Sequence, residues 1–237
     1  MFSFESFCPV CSTHQTMKSH SEWFRDFLVC PNCGSSVRER GLALVMNEIL
    51  PNWRKLQIHE SSPSPSGLSR YMAAEAPGYV PTHYFPDRTP GETCGSFRNE
   101  NLEQMTFNSA TFDLTITLDV MEHVFNPERV YLEVWRTLKP RGYYVHTFPI
   151  RKWLVTAVTA RALLKADGEV EQLVEVPEYH GNPIDERGAL VTIDYGYDIG
   201  DQIAKWAPFD VRICRFADQT HGILGEYTEV IVCRKRE

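Results

Sequence analysis

"FDLTITLDVMEHVFNPERVYLEVWRTLKPRGYYVHTFPI", residues 112–150, reads as a strand, a helix and a second strand. Phe112, Leu114, Ile116 and Leu118 alternate with Asp113, Thr115 and Thr117, the period-two pattern of a strand, and Asp119 stands at its end. The helix begins with Asn126 as cap and Pro127 at its first position, and Pro140 lies just beyond its end. Val130, Val134 and Leu138 give it a buried stripe, while Glu128 and Lys139 suit the two poles of its dipole. The strand "YYVHTFP" follows. Upstream lies a stranger stretch, "HESSPSPSGLSRYM" (59–72), in which serine and proline fill the turn between a strand and a helix.

The same alternation extends on both sides. "KLQIHE" is a short strand, "SGLSRYMAAEA" a helix ended by Pro77-Gly78, and "YVPTHYF" a second strand, with a proline that is awkward for a central position. "FDVRICRFA" and "YTEVIVCRKR" read as a final strand pair. Strand-helix alternation implies an α/β fold: a Rossmann-like, mostly parallel twisted sheet with helices on both faces and an antiparallel last strand pair. Ligands of such sheets sit at the carboxyl ends of the strands. Here those ends are Glu60–Pro63, His83, Asp119–His123 and His146–Pro149.

The first 35 residues form a unit of another kind. Cys8, Cys11, Cys30 and Cys33 have the spacing C-x2-C-x18-C-x2-C, which matches a zinc ribbon. Four thiolates close the coordination shell of zinc, so the ion is expected to be structural. His14 and His20, between the pairs, read as solvated loop residues. Ser36 and Glu39 form a capping box for the helix "VRERGLALVMNEIL", whose buried face is Leu42, Val45, Met46, Ile49 and Leu50. No linker separates ribbon from helix, so the expected division is 1–35 zinc ribbon and 36–237 main domain, packed together.

Composition bounds the partners. A chain of 237 residues with 43% hydrophobic content can bury a sizeable core. A formal charge of -7 without a Lys/Arg stripe argues against broad nucleic-acid binding. There is no signal-peptide pattern and no apolar run of membrane-spanning length, and reduced, metal-paired cysteines fit a cytoplasmic location.

Residues 112–149 resemble the S-adenosylmethionine-dependent class I methyltransferases, whose pattern here is a strand "FDlv", an acidic residue at its end, "EHv", a helix and "LKPGG" before the next strand. "ENLEQMTF" (100–107) fits the segment before it. The whole chain looks like a bacterial subgroup with a zinc ribbon in front. The resemblance implies that Glu60, Ser61 and Ser62 lie under the methionine part and ribose of the cofactor, and that Asn101 and Leu102 meet the adenine. It also implies that Asp119 and Val120 face the methyl-donor end, with Glu122 and His123 at the "EH" positions. Two departures stand out. The family's loop resembles "E/DxGxGxG", and only Gly67 remains here. The second strand usually ends in a ribose-binding acid, where this chain offers His83, with Asp87 four positions on.

The segment 177–199, "PEYHGNPIDERGALVTIDYGYDI", is polar and turn-rich and is the expected acceptor-side insert. It concentrates Tyr179, His180, Asn182, Asp194, Tyr195 and Tyr197. An oxygen acceptor must lose a proton, for which histidine is suited near neutral pH. His180 is the first candidate base and His146 the second, with Asp119 at the reacting end. The leading expectation is methyl transfer to a small-molecule or glycan-type hydroxyl. The alternatives are a ribosomal RNA methyltransferase and a non-catalytic scaffold with a degenerate cofactor loop.

Overall fold

The computed structural model of the chain describes residues 1–156, 158–181 and 186–237. It begins with the hairpin β1 (Phe2–Cys8) and β2 (Thr13–Ser19), the short helix α1 (Phe24–Phe27) and the helix α2 (Val37–Ile49). The α/β region follows as β3 (Ile58–Ser61), α3 (Gly67–Glu75), β4 (Tyr79–His83), β5 (Thr93–Cys94), β6 (Phe97–Asn99), β7 (Phe112–Leu118), α4 (Pro127–Thr137) and β8 (Leu138–Thr147). Six short strands, β9 (Val158–Ala160), β10 (Ala162–Leu164), β11 (Val170–Gln172), β12 (Tyr179–His180), β13 (Ala189–Leu190) and β14 (Ile193–Tyr195), lead to α5 (Ile199–Trp206), β15 (Phe209–Cys214) and β16 (Val230–Lys235).

The main sheet has the order β15-β16-β8-β7-β3-β4-β6-β5. β3, β4, β6, β7 and β8 pair in parallel, whereas β16 runs antiparallel between β8 and β15. This is the expected fold class. Strand order reverses at β3, which has β4 on one side and β7 on the other, so a crevice opens at the carboxyl ends of these strands. Pro81 is tolerated because β4 meets β6 only at Thr82 and His83, so Pro81 lies outside the stretch paired on both sides.

Helices bury both faces of the sheet. On one, Leu42, Val45 and Met46 of α2 and Leu68 and Met72 of α3 pack on Leu114 and Ile116. On the other, Val130, Tyr131 and Val134 of α4 and Ile199 and Ile203 of α5 pack around Tyr144 and Phe209. The threonines of β7 are therefore as buried as its leucines, and Thr117 satisfies its hydroxyl against Tyr144 Oη at 2.8 Å.

The N-terminal hairpin has no core of its own. Cys8, Met17, Leu28, Cys30 and Cys33 belong to the same apolar cluster as α2 and the sheet. Arg40, fully buried, rivets the parts together by donating to the carbonyls of Leu28, Ser35 and Gly222. The Ser36–Glu39 capping box is formed as the sequence indicates.

Two boundaries differ from the sequence expectation. β8 starts at Leu138, five residues before "YYVHTFP", and follows α4 without a loop. The insert 177–199, expected as turn-rich, contains the antiparallel pair β12–β13 and the strand β14, which pairs antiparallel with β9 before it. Among the described residues, no helix is long and apolar enough to cross a membrane.

Candidate functional site

The four ribbon cysteines converge. Cys8 Sγ lies 3.7 Å from Cys33 Sγ and Cys11 Sγ 3.9 Å from Cys30 Sγ, and the four sulfurs lie within 4.8 Å of one another as free thiols. A tetrahedron of zinc–sulfur bonds of about 2.3 Å has sulfur–sulfur edges of about 3.8 Å, so the donor set suits that ion.

The serine-proline turn is tied to this unit. Gly67 N donates to Cys33 O at 3.1 Å, and Leu68 N donates to Glu39 Oε1 at 2.9 Å, so Glu39 caps α3 as well as its own helix. Gly67 has φ +57°, and a Cβ there would stand 2.0 Å from Glu39 Oε1. The one glycine left in the turn thus answers to Glu39. Ser62 has φ 58°, a left-handed conformation glycine adopts without strain. Arg141 does the same at φ 64°, in the "LKPRG" turn where the family pattern has glycine. At both places a residue other than glycine takes the left-handed conformation.

The other residues proposed for the cofactor fall into three groups. Glu60, Ser61, His83 and Leu102 are buried. Glu60 accepts hydrogen bonds from Ser69 Oγ at 2.8 Å and Tyr79 Oη at 2.5 Å, so its carboxylate is turned to α3 and β4. His83 packs edge-on against Phe97 at 4.6 Å, and burial lowers its pKa. Asn101, Val120 and His123 are half-buried, while Asp87 is exposed. Asn101 accepts from Glu103 N at 2.9 Å. Asn99, by bonds to the backbone of Phe85, Arg88 and Thr89, fixes the loop that presents Asp87.

Burial pushes the Glu60 carboxyl up to about 7, against the pull of Tyr79 and Ser69. The folded chain then holds a proton that the unfolded chain releases above its ordinary value of 4.5. Stability is expected to fall as pH rises from about 4.5 to about 7, by up to about 3 kcal/mol, and to level off above. Glu60→Gln should flatten that segment of the profile. Denaturant unfolding at pH 5, 6 and 7.5 checks this, and equal slopes in both proteins would refute it.

A cleft of about 580 Å³ opens beside the end of β7, between the N-terminal unit and the insert. Trp23, Arg25 and Arg38 form one wall, Arg151, Glu178 and His180 the other, with Asp119 and His123 at the base. Asp119 has φ 53° and accepts from Arg25 Nη2 at 2.5 Å and Thr147 Oγ1 at 2.9 Å, and Arg38 Nε lies 3.1 Å away. Burial would raise the Asp119 carboxyl, but Arg25 and Arg38 outweigh it and hold it at about 2. Asp119 is thus ionised and clamps the N-terminal unit to the strand end.

The candidate bases separate. His180 is half-buried in the cleft wall, with Nε2 3.2 Å from Glu178 Oε1 and Nδ1 3.6 Å from Glu122 Oε1. His146 does not reach the cleft. It is fully buried, stacked on Tyr144 at 3.9 Å, with Nε2 2.9 Å from Tyr131 Oη. Burial takes its pKa down to about 3, so it is a neutral core residue. Its candidacy as the second base is corrected: on β8 its side chain points into the α4 face of the sheet.

The insert's polar residues also divide. Asp194 is paired with Arg151 and Arg161, each at 2.9 Å. Tyr195 is buried and donates to Met121 O at 2.8 Å. Tyr179 and Tyr197 are exposed, and Asn182 lies outside the described residues. Sequence reasoning missed Arg25, Arg38, Arg151 and Glu178. Arg151 could have been found, since it follows the fifth parallel strand by four residues. Arg25 carries no such signal, because its partner is 94 residues away.

Residues 73–146 match the family model described as a methyltransferase domain. The match starts beyond the serine-proline turn. Over that segment the chain is similar to the methyltransferase domain, and its fold is that of the class I S-adenosylmethionine-dependent methyltransferases. Solved structures agree on the fold. A methyltransferase from Mesorhizobium loti is 12% identical, with 82% of this chain and 97% of that one covered at a TM-score of 0.53. A protein from Pyrococcus horikoshii is 17% identical, with 84% and 90% covered and a TM-score of 0.52. The glycopeptide N-methyltransferase MtfA, solved with sinefungin, is 11% identical, with 85% and 94% covered and a TM-score of 0.53. No curated protein sequence matches the chain significantly. In this chain the order β6-β4-β3-β7-β8-β16-β15 provides the crevice, and the N-terminal unit roofs one side of it.

Proposed function

We propose that this chain is an S-adenosylmethionine-dependent methyltransferase that acts on a hydroxyl of a small-molecule or glycan-type acceptor held in the cleft beside β7, and that His180 activates that hydroxyl. The observation that carries the reading is the position of His180 in the cleft wall, with Asp119 at the base and Glu178 and Glu122 on either side of its ring. When bound, S-adenosylmethionine supplies a methyl group on a sulfonium, an excellent leaving group. The protein's work is then alignment, exclusion of water and removal of the acceptor's proton. Ser62, Asp119 and Val120 at the strand ends, Asp87 in its fixed loop, and Asn101 and Leu102 would hold the cofactor. Asp87 is the carboxylate left for the ribose hydroxyls, since His83 is enclosed by Phe97 and Phe85. Arg25, Arg38 and Arg151 are all matched by acids, so the cleft has no surplus positive charge for a phosphate backbone, which supports a small acceptor over RNA.

The ribbon, residues 1–35, would hold one structural zinc through Cys8, Cys11, Cys30 and Cys33. Its spacing and the sulfur–sulfur distances support this.

Calorimetric titration with S-adenosylmethionine is the first test, with one site of micromolar affinity expected despite the serine-proline turn. Transfer of labelled methyl groups to hydroxyl-bearing acceptors, and not to a ribosomal RNA fragment, is the second. Failure to bind the cofactor would leave the scaffold reading in its place.

A further inference from the structure

Glu122 is 3% exposed, and neither of its carboxylate oxygens has a hydrogen-bond partner. A buried carboxylate without partners costs several kcal/mol unless something of opposite charge meets it. Its neighbours are two imidazoles. His123 is next to it in the turn 121–123, and His180 comes from β12. Ligand atoms of all three residues lie within 4.8 Å of one another. We infer that Glu122, His123 and His180 form a binding site for one divalent transition-metal ion, open to the cleft.

The contacts around the two rings orient them. His123 Nδ1 lies 2.8 Å from Leu190 O, which can only accept, so Nδ1 carries the proton and Nε2 is bare. His180 Nε2 lies 3.2 Å from Glu178 Oε1, which anchors the ring and turns Nδ1 toward Glu122 Oε1 at 3.6 Å, where a metal ion would replace the Nδ1 proton. An imidazole anchored through one nitrogen by a carbonyl or carboxylate, with the other nitrogen free, is the arrangement that supports metal ligation. The carboxylate turn is held rigidly. Thr192 N donates to Glu122 O, Thr192 Oγ1 donates to Val124 O, and Tyr195 Oη donates to Met121 O. Two imidazoles and one carboxylate suit manganese, iron, cobalt, nickel or zinc better than magnesium or calcium, and three ligands leave positions open. His123 and His180 line the cleft, so those open positions face it.

This inference rests on the proposed function for its consequence. An acceptor hydroxyl that coordinates the ion would have its pKa lowered. Its O–H bond would break and the proton would pass to Glu178, while the oxygen's electron pair would form the new bond to the methyl carbon as the carbon–sulfur bond of the sulfonium breaks and its electron pair leaves with the thioether. His180 then activates the acceptor by holding the ion.

The test uses Mn²⁺ alone, which the tetrathiolate ribbon does not favour. Full-length protein with its ribbon zinc in place is titrated with Mn²⁺ while the signal of the free ion is followed by electron paramagnetic resonance. One Mn²⁺ per chain is expected, with affinity reduced at least 10-fold in Glu122→Gln and in His123→Asn, while circular dichroism and ribbon zinc stay unchanged. Two variants on different side chains guard against a folding defect in one. Saturation absent from the parent protein, or unaltered in both folded variants, would overturn the site and leave a Glu122–His180 ion pair in its place. Cofactor calorimetry on the same samples separates the two claims. Mn²⁺ binding without cofactor binding sinks the methyl-transfer reading alone, and the converse sinks the metal site alone.

Discussion

Cys8→Ser is expected to yield a protein without zinc, with a melting temperature at least about 10 °C lower and no methyl transfer. Structural zinc contributes folding energy, because its site does not exist in the unfolded chain. Cys8 is fully buried, and its sulfur stands within bonding reach of Ser35 and Cys33. Loss of one thiolate opens a closed four-ligand shell inside the cluster that also contains Val37, Leu42, Leu114 and Ile116. For a chain of this size each kcal/mol moves the midpoint by about 2–4 °C, so a loss of about 4–5 kcal/mol gives the stated drop. Activity should follow stability because the ribbon supports the cleft. Cys33 O receives the amide of Gly67, and Arg25 holds Asp119. A ribbon that loosens releases both the serine-proline turn and the strand-end carboxylate. Elemental analysis and a thermal melt decide the matter. A parent protein free of zinc, or a variant with unchanged midpoint, would remove the ribbon from this role.

That dependence explains why the fold was legible in the sequence while the site was only partly so. The stretch 112–150 carried its own signals: alternation in β7, the Asn126 cap, which accepts from Arg129 N at 3.1 Å, and Pro127 at the helix start. Those signals are local, and local rules read them. The cleft is made by contacts across the chain. Arg25 to Asp119, Gly67 to Cys33 and His180 to Glu122 join segments that no periodicity connects. The serine-proline turn was legible as a departure, but its meaning was not. Its glycine faces Glu39 of α2, and its first residue, Ser62, takes the left-handed shape unaided. His146 misled for a related reason. Its position near the end of a strand was read correctly, yet a strand has two faces, and this one is covered by α4.

His180→Ala is expected to lower turnover by about 10²–10⁴-fold while leaving S-adenosylmethionine affinity within about 2-fold, the range for loss of a positioned acid–base or activating group. The cofactor's proposed ligands lie just past the ends of β3 and β7 and in the loops at 87 and 101, whereas His180 comes from β12 of the insert. Removing its ring therefore changes the acceptor side alone. His146→Ala is the comparison. It removes a buried ring stacked on Tyr144 and bonded to Tyr131, so it should cost about 2–4 kcal/mol of stability. The turnover of the molecules that remain folded should be preserved. The two variants thus separate chemistry from scaffold. The first loses rate at constant melting temperature, and the second loses melting temperature at constant rate. The reverse pattern would place the activating group in the core and make the insert a cover. The Mn²⁺ titration then assigns the mechanism. If His180→Ala also loses the ion, the imidazole works by holding a Lewis acid beside Glu122, whose two unpartnered oxygens then have their purpose. If the ion is bound equally well without the ring, His180 takes the proton itself, with Glu178 behind it to stabilise the imidazolium that forms.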